Sequence, residues 1–265
     1  MAAELKQPSP LPAPGALDSH THLDMQERPV SSVLAEAAAA GIHKMVTVGC
    51  DLESSRYSVS AAAQFDSVYA AVAIHPNDVA GLDWSALDEI ESLAASPRVV
   101  AVGETGLDYY RDHAAPALQQ EWFRAHIAIA KRTGKALMIH DREAHEDVLR
   151  ILSEEGPPER VIFHCFSGDA AMAKVCADAG YVMSFAGNVT FSNAGPLREA
   201  AVAAPADLIL AETDAPFLTP VPNRGKPNSP AMTAWTIRFL ADLKGLPVER
   251  MCEHITTTAA RVFQW

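Results

Sequence analysis

Cysteine is scarce in this chain: its 265 residues include four, Cys50, Cys165, Cys176 and Cys252. They are widely spaced and form no C-x-x-C pair, which argues against a disulfide framework or a structural zinc site and fits a reducing cytoplasm. No stretch reaches the ~18 consecutive apolar residues of a membrane-spanning helix. Positive charge is also short, with 21 Lys and Arg against 33 Asp and Glu and a net charge of −12. A broad basic surface for non-specific grip on duplex nucleic acid is therefore not expected. A nucleic-acid substrate remains compatible, because bound cations can invert the potential of one cleft. A secretory apolar run is lacking too. Residues 1–15, rich in Pro and Ala, read as a disordered extension ahead of a single domain over residues 16–265.

What the sequence does have is alternation. Eight short apolar or β-branched runs (Ala16 to Ser19, Lys44 to Val48, Val68 to Ile74, Val99 to Val102, Ala136 to Ile139, Val161 to Phe163, Tyr181 to Phe185, Asp207 to Ala211) are separated by amphipathic stretches. Examples of the latter are Val33 to Ala40, Glu121 to Arg132 and Ala170 to Ala179, with a helix pair from about Ala231 onward. Gly41, Gly134 and Gly180 stop helices just before strands. Such repeats build either an open doubly wound sheet or a closed barrel. An open dinucleotide-binding sheet would place a Gly-rich loop after its first strand, where this chain reads DSHTHL. Eight units favour closure, so the expected fold is α/β, a (β/α)8 TIM-type barrel in one domain.

In such a barrel the residues just past the strands converge on one mouth. The first strand runs into His20 and His22, which the period of two points to the same side, a pairing able to bind one metal. His75 follows the third strand, Glu104 and Asp108 the fourth, His140 the fifth, His164 the sixth, and Glu212-Thr213-Asp214 the eighth. Half of the ten histidines thus fall at strand ends. Neutral imidazoles with carboxylates are the ligand set of zinc, manganese and related ions. Glu104 could bridge two ions, and Asp214 could take a proton from an attacking water. His43, His113, His126, His145 and His254 lie in helices or loops and receive no role. Cys165 reads as a small core residue. Asp18 is as readily structural as a partner of the ligands.

These residues stand in longer motifs, namely DSHTHL, AIHP, VGETGLDYYRD, IHDREA, FHCFSG, ETDAPFLTPVPNRGKPNSP and TTTAARVF. In type and order they resemble the TatD-type metal-dependent deoxyribonucleases of the amidohydrolase superfamily, from about Leu17 to Phe263. The resemblance implies a barrel with two divalent ions, magnesium, manganese or zinc. It makes His20, His22, Glu104 and Asp214 ligands of one ion, and Glu104, His140 and His164 ligands of the other. Asp214, Glu104 and His75 would carry the chemistry. His75, Asp108, Tyr109 and Arg111 would contact phosphate or the terminal nucleotide. Arg224, with Lys226 and Asn228, would either contact substrate or brace the loop after the eighth strand.

The implied activity is hydrolysis of DNA phosphodiesters, as a 3'-5' exonuclease on single strands or strand ends with a DNA-repair role. A few cations (Arg111, Arg142, Arg224, Lys226) and stacking aromatics (Tyr109, Tyr110, Phe191, Phe217) would suffice to hold one strand end. Oligomeric state is left open. One alternative is a binuclear hydrolase of a small ester, amide or phosphoester, although related barrels often place a carbamylated lysine where this chain has Glu104. A non-catalytic barrel is the other, and the full ligand set argues against it.

Overall fold

Eight parallel strands in sequence order form one sheet: β1 (Ala16–Thr21), β2 (Ile42–Val48), β3 (Val68–Val72), β4 (Val99–Asp108), β5 (Ala136–Arg142), β6 (Val161–Phe163), β7 (Val182–Phe185) and β8 (Ile209–Ala211). The computed structural model describes residues 5–265. The helices are α1 (Val30–Ala39), α2 (Leu52–Gln64), α3 (Ala86–Ala94), α4 (Pro116–Thr133), α5 (His145–Glu155), α6 (Ala170–Asp178), α7 (Gly195–Ala203), α8 (Thr233–Lys244) and α9 (Val248–Phe263). The sheet wraps until its last strand meets its first. Asp214 N donates to His20 O at 3.0 Å and His22 N to Ala215 O at 2.8 Å, with a parallel bridge between Thr21 and Ala215. This is the (β/α)8 barrel that the eight apolar runs predict.

Strands buried on both faces need apolar residues throughout, and β2 to β8 carry them as Val46, Val72, Val102, Leu137, Ile162, Met183 and Leu210, all with no exposed surface. Helices cover them with one apolar face each. In α4, Trp122, Phe123 and Ile127 are buried, each worth about 2–3 kcal/mol relative to exposure. Local signals fix the helix ends. Asp51 accepts from Ser54 N at 2.8 Å in a capping box on α2, and Asp169 accepts from Met172 N at 2.9 Å on α6. Gly41, Gly134 and Gly180 all have positive φ, as expected of helix stops.

Two strands slip register next to the barrel mouth. In β1 the pairing shifts between Asp18 and Thr21, and in β4 between Val102 and Thr105. Each slip is an inserted residue that re-aims its neighbours. Gly103 makes the second one possible, since a Cβ there would lie 2.4 Å from Met138 Cβ. Pairing then resumes with β5, so β4 continues to Asp108 and β5 to Arg142. Glu104, Asp108 and His140 therefore lie within strands, where the sequence placed them just beyond.

The sequence reads a lead-in over residues 1–15. Its first four residues lie outside the described ones, and residues 5–15 are packed on the barrel. Pro8 and Leu11 are buried, Leu11 N donates to Ala40 O at 2.9 Å, and Arg238 donates to Ser9 O and Pro10 O. Proline suits such a segment, because it enters an extended strap with little chain entropy left to lose. Among the described residues no helix is long and apolar enough to cross a membrane.

Candidate metal centre

Glu104 occupies the middle of the site and is 5% exposed. One of its oxygens, Oε1, lies 3.9 Å from His20 Nε2 and 3.8 Å from His22 Nε2. The other, Oε2, lies 2.7 Å from His164 Nε2 and 3.3 Å from His140 Nδ1. Asp214 completes the first group, with Oδ1 at 3.4 Å from His22 Nε2 and 3.7 Å from His20 Nε2. Donor atoms that share one ion at bonds of about 2.0–2.2 Å stand about 3–3.5 Å apart. The separations here match that spacing or need small closures.

The outward nitrogens of the four candidate ligand histidines are all engaged. His22 Nδ1 faces Val48 O at 3.1 Å, His20 Nδ1 faces Met138 Sδ at 3.3 Å, and His164 Nδ1 faces Glu212 Oε1 at 3.0 Å. His140 is reversed, with Nε2 on Asp108 Oδ2 at 3.2 Å and Nδ1 turned to Glu104. A ring whose outer nitrogen donates keeps its inner lone pair free, which is how proteins prepare imidazoles for metal. Glu212 Oε2, fully buried at the same cluster, has no hydrogen-bond partner among the described residues. The residues present therefore fit divalent metal, with Glu104 facing both histidine groups.

Charge in the centre follows from burial against pairing. Burial alone would raise the Glu104 carboxyl, but the His164 and His20 rings and bonds from His140 and His164 hold it well below the usual range. Burial lowers His164, yet Glu104 and Glu212 raise it well above an ordinary imidazole. His22 is likewise lifted against burial, to about 9, by Asp214 and Glu104. His20 goes the other way, pushed well down by burial and by neighbouring His164. A cation entering the cluster would compete with the protons that the raised His22 and His164 rings favour.

The remaining expected residues are distributed unequally. His75 packs edge-on against His140 with ring centroids 4.5 Å apart, and its Nδ1 accepts from Asn77 N at 3.1 Å. Burial lowers its pKa to about 3. Asp108 is buried and accepts from Asn77 Nδ2, His140 Nε2 and the backbone N–H groups of Tyr110 and Arg111, so it organises the centre. Tyr109 directs its hydroxyl to Asp147 Oδ2 at 2.7 Å, so that group is committed to α5. Arg111 is exposed. Arg224, also exposed, lies over the Phe191 ring at 4.2 Å, and Arg142 lies over Tyr110 at 3.9 Å. Phe217 stands at the rim, 6.3 Å from the His22 ring and 52% exposed. Asn228 is turned inward, bonding Thr213 O and Phe217 O, and so braces its loop. Asp18 accepts from Thr213 N at 2.9 Å and ties β1 to the segment after β8. Cys165 lies beyond β6 with φ 41°, its N–H donating to Glu212.

Three contributors received no role in the sequence reading. Glu212 sits two residues before Asp214, the one spacing that offered a clue. Cys50, after β2, reaches Glu104 Oε1 with its Sγ at 3.3 Å and has no local signal. His126, on α4, accepts from Ile74 N at 3.1 Å and so holds the strand end that carries His75.

Residues 17–264 match the sequence model of the family described as TatD related DNase. The chain belongs to the TatD family. It is 49% identical over 257 residues to a TatD protein of Mycobacterium tuberculosis described as an uncharacterized metal-dependent hydrolase, covering 93% of this chain and 97% of that one. YabD of Bacillus subtilis, described in the same way, is 38% identical over 251 residues, covering 93% and 98%. Among solved structures, the TatD homologue YjjV of Escherichia coli superposes with a TM-score of 0.90 at 26% identity, over 94% of this chain and 98% of that one. This TatD protein is thus a metal-dependent hydrolase, and its clustered histidines, Glu104 and Asp214 could hold a metal ion.

Proposed function

We propose that this TatD protein hydrolyses DNA phosphodiester bonds as a 3'-5' exonuclease on single strands or strand ends, in a cytoplasmic repair role. The observation that carries the hydrolytic part is Glu104, with one oxygen facing His20 and His22 and the other facing His140 and His164. The nucleic-acid part follows the family description as DNases. His20, His22, Glu104 and Asp214 would hold one divalent ion, and Glu104, His140 and His164 the second, as magnesium, manganese or zinc. Bound there, such ions polarise a phosphoryl oxygen and make water a competent nucleophile at neutral pH.

The chain's own groups supply the rest. Asp214 presents a partly open carboxylate at the rim and accepts the proton of the attacking water. His75 has Nδ1 occupied by the Asn77 N–H, which assigns its proton to Nε2 and makes that nitrogen a donor for a non-bridging phosphate oxygen. Arg224 and Arg111 add exposed positive charge for the neighbouring phosphates. Phe217 and the Arg142–Tyr110 pair offer faces on which terminal bases can stack. A strand end needs only these few contacts, which is compatible with a net charge of −12.

The test is a nuclease assay on end-labelled single-stranded and duplex DNA, with each metal returned to chelated protein and His140→Ala as control. Stepwise removal of terminal nucleotides that requires both metal and His140 supports the reading. No cleavage under any metal would redirect the same centre to small esters, amides or phosphoesters.

A further inference from the structure

The loop between β8 and α8, residues 212–232, carries Arg224, and one buried side chain connects it to a remote part of the chain. Asn223 has no exposed surface, and each end of its amide bonds the backbone of one residue, beside longer contacts to Met232 Sδ at 3.5 Å and Lys226 Nζ at 3.4 Å. Lys6 N donates to Asn223 Oδ1 at 2.9 Å, and Asn223 Nδ2 donates to Lys6 O at 2.7 Å. This two-point pairing imitates a strand contact across 217 positions of sequence. A buried amide so occupied cannot touch substrate. Within the loop, Asn223 N donates to Pro220 O at 2.8 Å and Asn223 O accepts from Lys226 N at 3.0 Å, so the residue also fixes the turn around Arg224.

The segment on the other side is anchored independently. Leu11 packs beneath Gly41, where a Cβ would come within 2.9 Å of Leu11 Cβ. Arg238 of α8 holds the carbonyls of Ser9 and Pro10. Glu36 of α1 accepts from Gln7 Nε2 at 3.0 Å and from Ser229 Oγ at 3.3 Å, a second link between segment and loop. On the loop's far edge, Val221 N donates to Thr190 Oγ1 at 2.9 Å, and Arg224 covers Phe191. The loop is thus strung between the turn after β7 and a segment that precedes the family match at residue 17.

We infer that Asn223 is a positioning residue, and that residues 6–11 act as a clasp holding the 212–232 loop with Arg224 poised over the mouth of the barrel. The role assigned to Arg224 rests on the DNA-hydrolysis reading, whereas the clasp itself does not.

Three full-length variants test it. Lys6→Pro removes the backbone donor while leaving the loop's sequence intact, Asn223→Ala removes both amide bonds, and Lys6→Ala keeps the backbone N–H and serves as control. Hydrogen exchange read by mass spectrometry should rise about tenfold over residues 220–227 in Lys6→Pro and Asn223→Ala, as expected for one or two ordinary hydrogen bonds. Exchange in the strands, bound metal and the Lys6→Ala control should match the parent. On single-stranded DNA the same two variants should raise KM about five- to tenfold with kcat within about twofold, because substrate contact is loosened and the centre is not. Unchanged exchange in both variants overturns the clasp. Raised exchange with unchanged KM overturns the positioning of Arg224. If the parent protein cleaves no DNA, the DNA reading fails and the exchange data alone decide whether the clasp exists.

Discussion

Glu212 accepts the Nδ1 proton of His164 at 3.0 Å while His164 Nε2 points at Glu104 Oε2, so one carboxylate orients the imidazole that the other faces. The same Glu212 oxygen accepts from Cys165 N at 2.8 Å, which holds the chain just past β6 in its positive-φ conformation. Removing that acceptor releases both the tautomer and the ring orientation. Glu212→Ala should therefore weaken divalent metal about 10- to 100-fold, the usual effect of losing an outer partner of a ligand histidine. A chelator competition titration measures this, and parental affinity would mean that Glu212 serves only the backbone.

Glu104→Ala removes the group shared by both halves of the centre. Hydrolysis should be abolished and the protein should retain at least one equivalent of metal less than the parent, by elemental analysis, while circular dichroism still reports the barrel. The fold should survive because the rest of β4 keeps its pairing with β5. A variant that fails to fold would make Glu104 chiefly structural.

Gly106 has φ 142°, and a Cβ on it would lie 2.0 Å from His140 O. Gly106→Ala must push β4 away from β5 between Glu104 and His140. A loss of about 2–4 kcal/mol is expected, from overpacking plus backbone strain. Urea denaturation checks it, and a loss below about 1 kcal/mol would show that the strands can part cheaply.

His126 is buried in α4, with Nδ1 donating to Trp122 O at 2.8 Å and Nε2 accepting from Ile74 N. Burial lowers its pKa to about 4 from an ordinary 6.5. Between those values the unfolded chain binds a proton that the folded chain refuses, so stability is full above pH 6.5 and falls as pH drops toward 4. The cost is on the order of 3 kcal/mol once the window is crossed. His126→Gln cannot take up that proton, so its melting temperature should fall less than the parent's between pH 7 and pH 5. Equal falls would assign the acid sensitivity to other groups.

The barrel and most of its centre could be read in the sequence because their signals are local. The H-x-H of β1 needs only the alternation of an extended chain to bring His20 and His22 together, and their Nε2 atoms are 3.3 Å apart. Strand ends were less legible. Nothing in the residues 103–108 says that pairing with β5 resumes after the register slip, since that depends on Met138 and His140 more than thirty positions away. Cys50 and His126 act through contacts 54 and 52 residues distant and could not have been singled out. The N-terminal segment was ambiguous because proline and alanine mark both disordered tails and extended straps. The burial of Pro8 and Leu11 and the bonds to Ala40, Asn223 and Arg238 separate the two.

The first strand and the stretch after the last one meet through Asp214 N on His20 O and His22 N on Ala215 O, and the same residues present His20, His22 and Asp214 to a cation. A cation held by these residues would sit on the seam of the cylinder. A cation bound there rivets together two stretches of chain that lie nearly two hundred residues apart, closing a long loop much as a crosslink would. Chelation should therefore loosen this seam before any other strand pair, with amide exchange appearing first along His20, His22 and Asp214. The catalytic metal would then also be the fastener of the fold.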